Sequence, residues 1–264
     1  MNKVYMIVGL GRSGTTIIGK KLAEHLGGFF LGELIYFSSR GLEKQSLCGC
    51  GEYIIDCEVW SPIISKLSEA EKATLKCAEE DLRLKNVFRF KDQSIYRNLF
   101  KRVHSLCGDR RLVDSSKILP YAFMFRKDPN YEFIHVVRDP VQVTSSMLSK
   151  KYIPELGAEG YLHNGGLFRT PLRWSVVNLL VRYLLPIRHT VFYEDFIEYP
   201  EKLLAKIAES KPDALSGHSL AGNPSRFGDQ TIKPQSQKRK FTWFEHFSIR
   251  ALSWPYRIIT RRYL

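Results

Sequence analysis

A chain of 264 residues is near the upper size at which one hydrophobic core still serves, so one domain over 1–264 with loop insertions is expected. With 44% hydrophobic and 25% charged residues and no repeat or low-complexity tract, disordered and fibrous classes are excluded. The formal net charge of +13 favours a polyanionic ligand, an acidic substrate, nucleic acid or an anionic membrane surface, and charge alone does not choose among them.

The apolar run Val4 to Leu10 is too short for a signal-peptide core and is read as a buried strand closed by Gly9. Thr15 to Leu26 then places Ile17, Ile18, Leu22 and Leu26 at helical spacing, and Phe29 to Leu31 is a second strand ended by Gly32-Glu33. Residues 36–110 read as a mostly helical and irregular cover: a Gly-, Cys- and Ser-rich stretch at 38–57, then helices near Trp60–Leu67, Glu69–Leu82 and Gln93–Leu106. Arg111 to Val113 is a short strand ended by Asp114-Ser-Ser-Lys117, and Tyr131 to Val137 is a longer buried one ended by Arg138-Asp139-Pro140. Pro140 suits the first turn of a helix that carries Ser146 two turns in. Helices at Leu172–Leu185 and Pro200–Ala208 flank a last strand, Thr190–Tyr193. Strands alternating with helices argue for an α/β fold on a parallel sheet.

Residues 216–264 form a basic aromatic C-terminal segment with nine Lys or Arg against Asp229 and Glu245, a local charge of +7. Its aromatic face is expected to close over the core, with peripheral membrane contact or an acidic acceptor's cradle as the other uses. No stretch reaches the roughly 20 apolar residues of a membrane span. Five cysteines without an export signal suggest free thiols in a reducing compartment, with the cytoplasm the expected address. Cys48, Cys50 and Cys57 follow C-x-C-x6-C, not a standard zinc spacing. Zinc with a fourth ligand from elsewhere and a disulfide are alternatives, but free cysteines in a substrate-facing loop, and no metal, are the expectation.

The loop Gly9-Leu-Gly11-Arg12-Ser13-Gly14-Thr15-Thr16 joins a strand to a helix, where free backbone N–H groups and the positive helix end face an anion. It satisfies both G-x-G-x-x-G and the glycine frame of a Walker loop. Glu33, about 20 residues on, supports an NAD(P)-dependent oxidoreductase. Thr15 stands where the Walker lysine should be, which weakens an NTPase reading. Arg138 at a strand end can hold a phosphate with two prongs and Ser146 can add a hydrogen bond. Arg138-Asp139 taken alone also fits a strand-end ion pair or a Walker B-like acid. A basic nucleic-acid-binding protein is the third reading. It leaves the glycine loop unexplained, and no recognised nucleic-acid motif is present.

Arg12-Ser-Gly-Thr-Thr16 resembles the 5′-phosphosulfate-binding loop of sulfotransferases that use 3′-phosphoadenylyl sulfate (PAPS), particularly the protein-tyrosine, carbohydrate and bacterial branch. The segment from Phe133 through Arg138 to Ser146 and Met147 is similar to that family's 3′-phosphate motif. NAD has no 3′-phosphate, which argues against the dinucleotide reading. Weaker likenesses are Val113–Lys117, Phe192–Asp195 and Gly222–Phe227. The resemblance implies a P-loop-like three-layer sandwich in which Gly11, Arg12, Ser13, Gly14, Thr15, Thr16, Arg138, Ser146, Tyr193 and Arg226 bind PAPS. Adenosine 3′,5′-bisphosphate is then the product, and the acceptor is a hydroxyl or amine of a carbohydrate, lipid or small molecule. Arg12 and Lys117 are candidates to stabilise the leaving group. Gly32-Glu33 resembles the Gly-Glu of the protein-tyrosine branch, which implies Glu33 as base. His163 is the alternative base, and His135, inside a strand, reads as core or as a supporting group.

Overall fold

The computed structural model describes residues 3–44, 46–81, 94–108, 110–149, 151–152, 161–162, 165–209, 217–221 and 239–262. In chain order, β1 (Val4–Val8), α1 (Thr15–His25) and β2 (Phe29–Gly32) lead into a cover carrying α2 (Ser61–Ile64), α3 (Glu69–Glu80) and α4 (Ser94–Leu106). There follow β3 (Leu112–Lys117), α5 (Leu119–Met124), β4 (Tyr131–Val137) and α6 (Pro140–Leu148). The two-residue strands β5 (Lys151–Tyr152) and β6 (Tyr161–Leu162) pair antiparallel apart from the main sheet. The chain continues through α7 (Arg169–Leu184), β7 (Ile187–Phe192), α8 (Tyr193–Glu198) and α9 (Pro200–Ile207) to α10 (Trp243–Leu252) and α11 (Trp254–Thr260).

Five strands pair in parallel in the order β2-β3-β1-β4-β7. β1 and β4 are buried at every position, as strands covered on both faces must be. Alternate side chains of β1 serve two cores. Tyr5 and Ile7 meet Ile18 and Leu22 of α1 together with Phe196, Leu204 and Ile207 of α8 and α9. Val4, Met6 and Val8 join the side packed by Phe100, Tyr121, Phe125 and Trp174 from the helices on the opposite face. The expected three layers are therefore present.

From β1 the chain steps outward to β2, fills the gap with β3, and then crosses to β4 on the other flank. The carboxyl ends of β1 and β4 thus lie at the point where the winding reverses, where parallel α/β sheets place their ligand crevice. Gly9, after β1, and Arg138, after β4, both stand there.

Two local expectations are corrected. β3 does not stop at Val113 but runs to Lys117, because its polar residues find partners inside the sheet. Ser115 Oγ donates to the Gly32 carbonyl (2.9 Å), and Ser116 Oγ accepts from the Ile35 N–H (3.1 Å). Residues Phe37–Glu43, expected as irregular chain, form a π-helical turn behind a 3-10 turn at Leu34–Tyr36.

The C-terminal helices close one face, with Ile249 and Tyr256 buried and the Tyr256 ring edge-on to Trp174 at 5.2 Å. Their other face leaves Trp243, Phe244, Phe247 and Trp254 exposed. No helix among the described residues is long and apolar enough to cross a membrane.

Candidate active site

The glycine loop takes its shape from backbone that side chains would obstruct. Gly9 has φ +142°, and a Cβ there would lie 2.3 Å from the Val136 carbonyl oxygen of β4. Gly14 (φ +90°) turns the chain into α1, and a Cβ there would meet the Tyr193 ring at 2.2 Å. Because Gly14 stands at the cap position, no side chain among the described residues caps the opening turn of α1, and its amides keep their capacity for an anion. Thr15 and Thr16, the first helical residues, are buried beside them. Ser13 Oγ is also buried and has no hydrogen-bond partner among the described residues.

Arg138 meets this loop directly. One guanidinium nitrogen, Nη1, donates to the Arg12 carbonyl at 3.2 Å, and the group lies over the Tyr193 ring, 4.6 Å from its centroid. Its Nε is buried with no partner among the described residues, an expensive state for a cationic donor unless a ligand completes it. The Arg138 carbonyl accepts from Trp174 Nε1 at 2.9 Å, which pins the backbone of the turn. Tyr193 is wedged between Gly14 and Arg138; burial raises its phenol and the Arg138 charge pulls it back.

Asp139 has a different task. Its carboxylate caps α6 through the Val141 and Gln142 amides (2.8 and 3.1 Å) and pairs with Arg250 at 3.3 Å. Neither the Walker B-like role nor a pairing with Arg138 describes it. Ser146 sits half-buried in α6, next to Ser145, whose hydroxyl accepts from the Arg239 amide at 3.0 Å. α6 lies close to the loop, with Met147 Cε 4.0 Å from where a Gly11 Cβ would stand.

Glu33 and Lys117 arrive from neighbouring strand ends and form a largely buried ion pair. The Glu33 amide donates to the Leu220 carbonyl at 2.7 Å, which fixes the start of the turn. Arg12 shares their electrostatic neighbourhood: burial lowers its pKa and the Glu33 charge raises it. Burial and then Glu33 push the Tyr36 phenol up to about 12. Arg12 (φ +71°) and Lys117 (φ +54°) are non-glycine residues in the left-handed region, a conformation costing about 1 kcal/mol each. Such outliers collect where side-chain placement matters more than backbone ease.

Beneath the pair lies a buried group the sequence reading assigned no function. Asp114 accepts from the Ser116 amide (2.7 Å), the Ser116 hydroxyl and the Tyr121 hydroxyl (2.8 Å), while burial drives its carboxyl up to about 6. Ser-Ser after Asp was the available signal for the turn-like bonds; nothing local marked Tyr121.

Of the residues expected at the site, the structure brings the Gly11–Thr16 loop, Arg138 and Tyr193 together, and separately Glu33 with Lys117 near Arg12. His135 is core: it bonds Asn178 at 2.9 Å inside β4, and burial lowers its pKa to about 4. Arg226 and His163 lie outside the described residues.

The chain is similar to two solved structures. The sulfotransferase domain from the curacin biosynthetic pathway is 21% identical with a TM-score of 0.49, over 88% of this chain and 82% of that one. The sulfotransferase domain from the Synechococcus PCC 7002 olefin synthase is 18% identical with a TM-score of 0.49, over 96% of this chain and 94% of that one. No curated protein matches the chain. Residues 5–210, more than three quarters of the sequence, match the model of the sulfotransferase family, and the chain belongs to that family.

Proposed function

We propose that the protein transfers a sulfuryl group from PAPS to a hydroxyl or amine of a carbohydrate, lipid or small-molecule acceptor, releasing adenosine 3′,5′-bisphosphate. The observation that carries this reading is Arg138, a buried guanidinium whose Nε has no partner among the described residues, set against a loop whose helix amides have no side-chain cap among them. Two anion-holding positions side by side suit a nucleotide phosphorylated at both 3′ and 5′.

In this reading the amides from Gly11 to Thr16 and the hydroxyls of Ser13, Thr15 and Thr16 hold the 5′-phosphosulfate. Arg138 and Ser146 hold the 3′-phosphate, Tyr193 walls the site, and Arg226 is the further donor contact that the family resemblance implies. PAPS supplies the activated sulfuryl group, whose bond to the phosphate oxygen breaks as the acceptor oxygen or nitrogen bonds to sulfur. Lys117 and Arg12 offset the charge that grows on the leaving phosphate. Glu33 receives the acceptor's proton on its carboxylate. The resting Glu33–Lys117 pair holds the two side chains side by side at the strand ends, where the acceptor and the leaving group would meet them.

Thermal unfolding with adenosine 3′,5′-bisphosphate, NAD, ATP-Mg²⁺ and an oligonucleotide in parallel tests the donor. The bisphosphate is expected to stabilise most. Stabilisation by NAD or the oligonucleotide with none by the bisphosphate overturns the reading.

A further inference from the structure

The three cysteines between β2 and α2 converge with a histidine from a distant segment. Cys57 Sγ lies 3.5 Å from Cys48 Sγ, 3.9 Å from Cys50 Sγ and 3.4 Å from His218 Nδ1. All four ligand atoms fall within 4.8 Å of one another. The other ring nitrogen of His218, Nε2, faces Glu58 Oε1 at 3.2 Å. Of the three thiols, Cys48 and Cys57 are buried and Cys50 is exposed.

Thiolates around a tetrahedral zinc, each about 2.3 Å from the metal, stand about 3.8 Å apart. The observed separations match that spacing. A disulfide would join two of these sulfurs and leave the third, the imidazole and its carboxylate without a reason to gather. A histidine whose far nitrogen is held by a carboxylate is the usual arrangement at a metal, where the carboxylate fixes the tautomer and strengthens the ligand.

We infer that Cys48, Cys50, Cys57 and His218 bind one Zn²⁺ as a closed structural site, with Glu58 orienting His218. Four protein ligands leave no open position for chemistry. The metal instead joins the cysteine insertion to residues 217–221. Those residues lie along the outer edge of β2: Gly49 N–H donates to Ser219 O (2.9 Å), Leu220 N–H to Leu31 O (2.9 Å), and Glu33 N–H to Leu220 O (2.7 Å). Gly32 and Leu220 form a parallel bridge there. The zinc therefore covers a sheet edge and holds the backbone from which Glu33 projects.

The test uses the full chain, produced with zinc in the medium and purified without chelator. Elemental analysis is expected to find one zinc per chain. Cys50→Ser and His218→Ala should each lower retained zinc about tenfold or more, and Glu58→Ala should weaken affinity about 10- to 100-fold. Cys77→Ser, at an exposed position of α3, should keep the full equivalent. Cobalt exchanged into the unaltered protein should show the visible bands of a tetrahedral thiolate site, a readout that stands if a variant fails to fold. Removing the metal should speed hydrogen exchange at the Glu33 and Leu220 amides. An unaltered protein without zinc or a tetrahedral cobalt spectrum, zinc retained in both Cys50→Ser and His218→Ala, or a Cys48–Cys57 disulfide in the purified chain overturns the site.

Discussion

The Gly9–Thr16 loop and the Glu33–Lys117 pair border the same end of the sheet but are made by opposite means. The loop is mostly backbone: two glycines at positive φ, pressed against Val136 and Tyr193, shape the uncapped start of α1. The pair is mostly side chain: two opposite charges carried on neighbouring strands meet after the chain has travelled 84 residues. A loop fixed by close packing cannot change without disturbing the fold. A buried ion pair leaves an uncompensated charge when one partner is lost, so its loss is expected to register in turnover as well as in stability.

Substitutions can break or sharpen this contrast. The largest effect is expected from Gly9→Ala, which forces a Cβ to 2.3 Å from a carbonyl oxygen at φ +142°. Overpacking and the unfavourable dihedral together should destabilise by about 4 kcal/mol, read as a lower urea midpoint; a loss below about 1 kcal/mol would show that the loop tolerates a side chain.

His135 separates core from chemistry. Its lowered pKa, about 4 against an ordinary 6.5, means that the unfolded chain takes up the proton first as the solution is acidified. The stability contributed by the neutral imidazole is complete above about pH 6.5 and is lost as pH falls through about 4, a total of about 3 kcal/mol. Relative to His135→Gln, the unaltered protein should lose that amount between pH 7 and 4 in urea titrations. Asp114, whose raised carboxyl acts in the opposite sense between about pH 4 and 6, is common to both proteins and cancels in the difference. Turnover of the variant at neutral pH should stay within about threefold of the unaltered enzyme; a collapse would move the base to a histidine.

Glu33→Gln should preserve bisphosphate binding while slowing turnover about 100-fold, measured with a donor-regeneration assay. Unimpaired turnover removes Glu33 as base. Arg138→Ala should weaken adenosine 3′,5′-bisphosphate about 30-fold by calorimetry while changing adenosine 5′-phosphosulfate, which lacks the 3′-phosphate, only about threefold or less. Equal losses on the two ligands would dissolve the 3′-phosphate assignment and make Arg138 a brace for the loop.

The same contrast explains what could be read before the fold was known. The loop is local: strand, glycines and helix adjoin in sequence, so its position and form were legible from Val4 to Leu26. The buried runs of β1 and β4 were equally plain. β3 was cut short because Asp114-Ser115-Ser116 looks like the end of a strand, whereas Gly32, Ile35 and Tyr121 supply its hydrogen bonds from elsewhere in the chain. Glu33 was identified as a site residue, but its pairing with Lys117 depends on strand order, which no spacing encodes. Cys48, Cys50 and Cys57 lacked a fourth partner for the same reason, with His218 lying 161 residues beyond Cys57.

The four tryptophans divide into two optical classes. Trp60 and Trp174 are fully enclosed, whereas Trp243 and Trp254 are more than half exposed on the C-terminal helices. The first pair should emit at short wavelength beyond the reach of acrylamide, and the second at long wavelength and open to quenching. Trp174, hydrogen-bonded to the Arg138 carbonyl, is a native fluorophore beside the turn proposed to hold the 3′-phosphate. The exposed pair reports separately on whatever approaches the tail: a vesicle carrying anionic lipid that engages it should shift only the red component. One unlabelled protein thus offers two independent channels, one for the Arg138 turn and one for the surface.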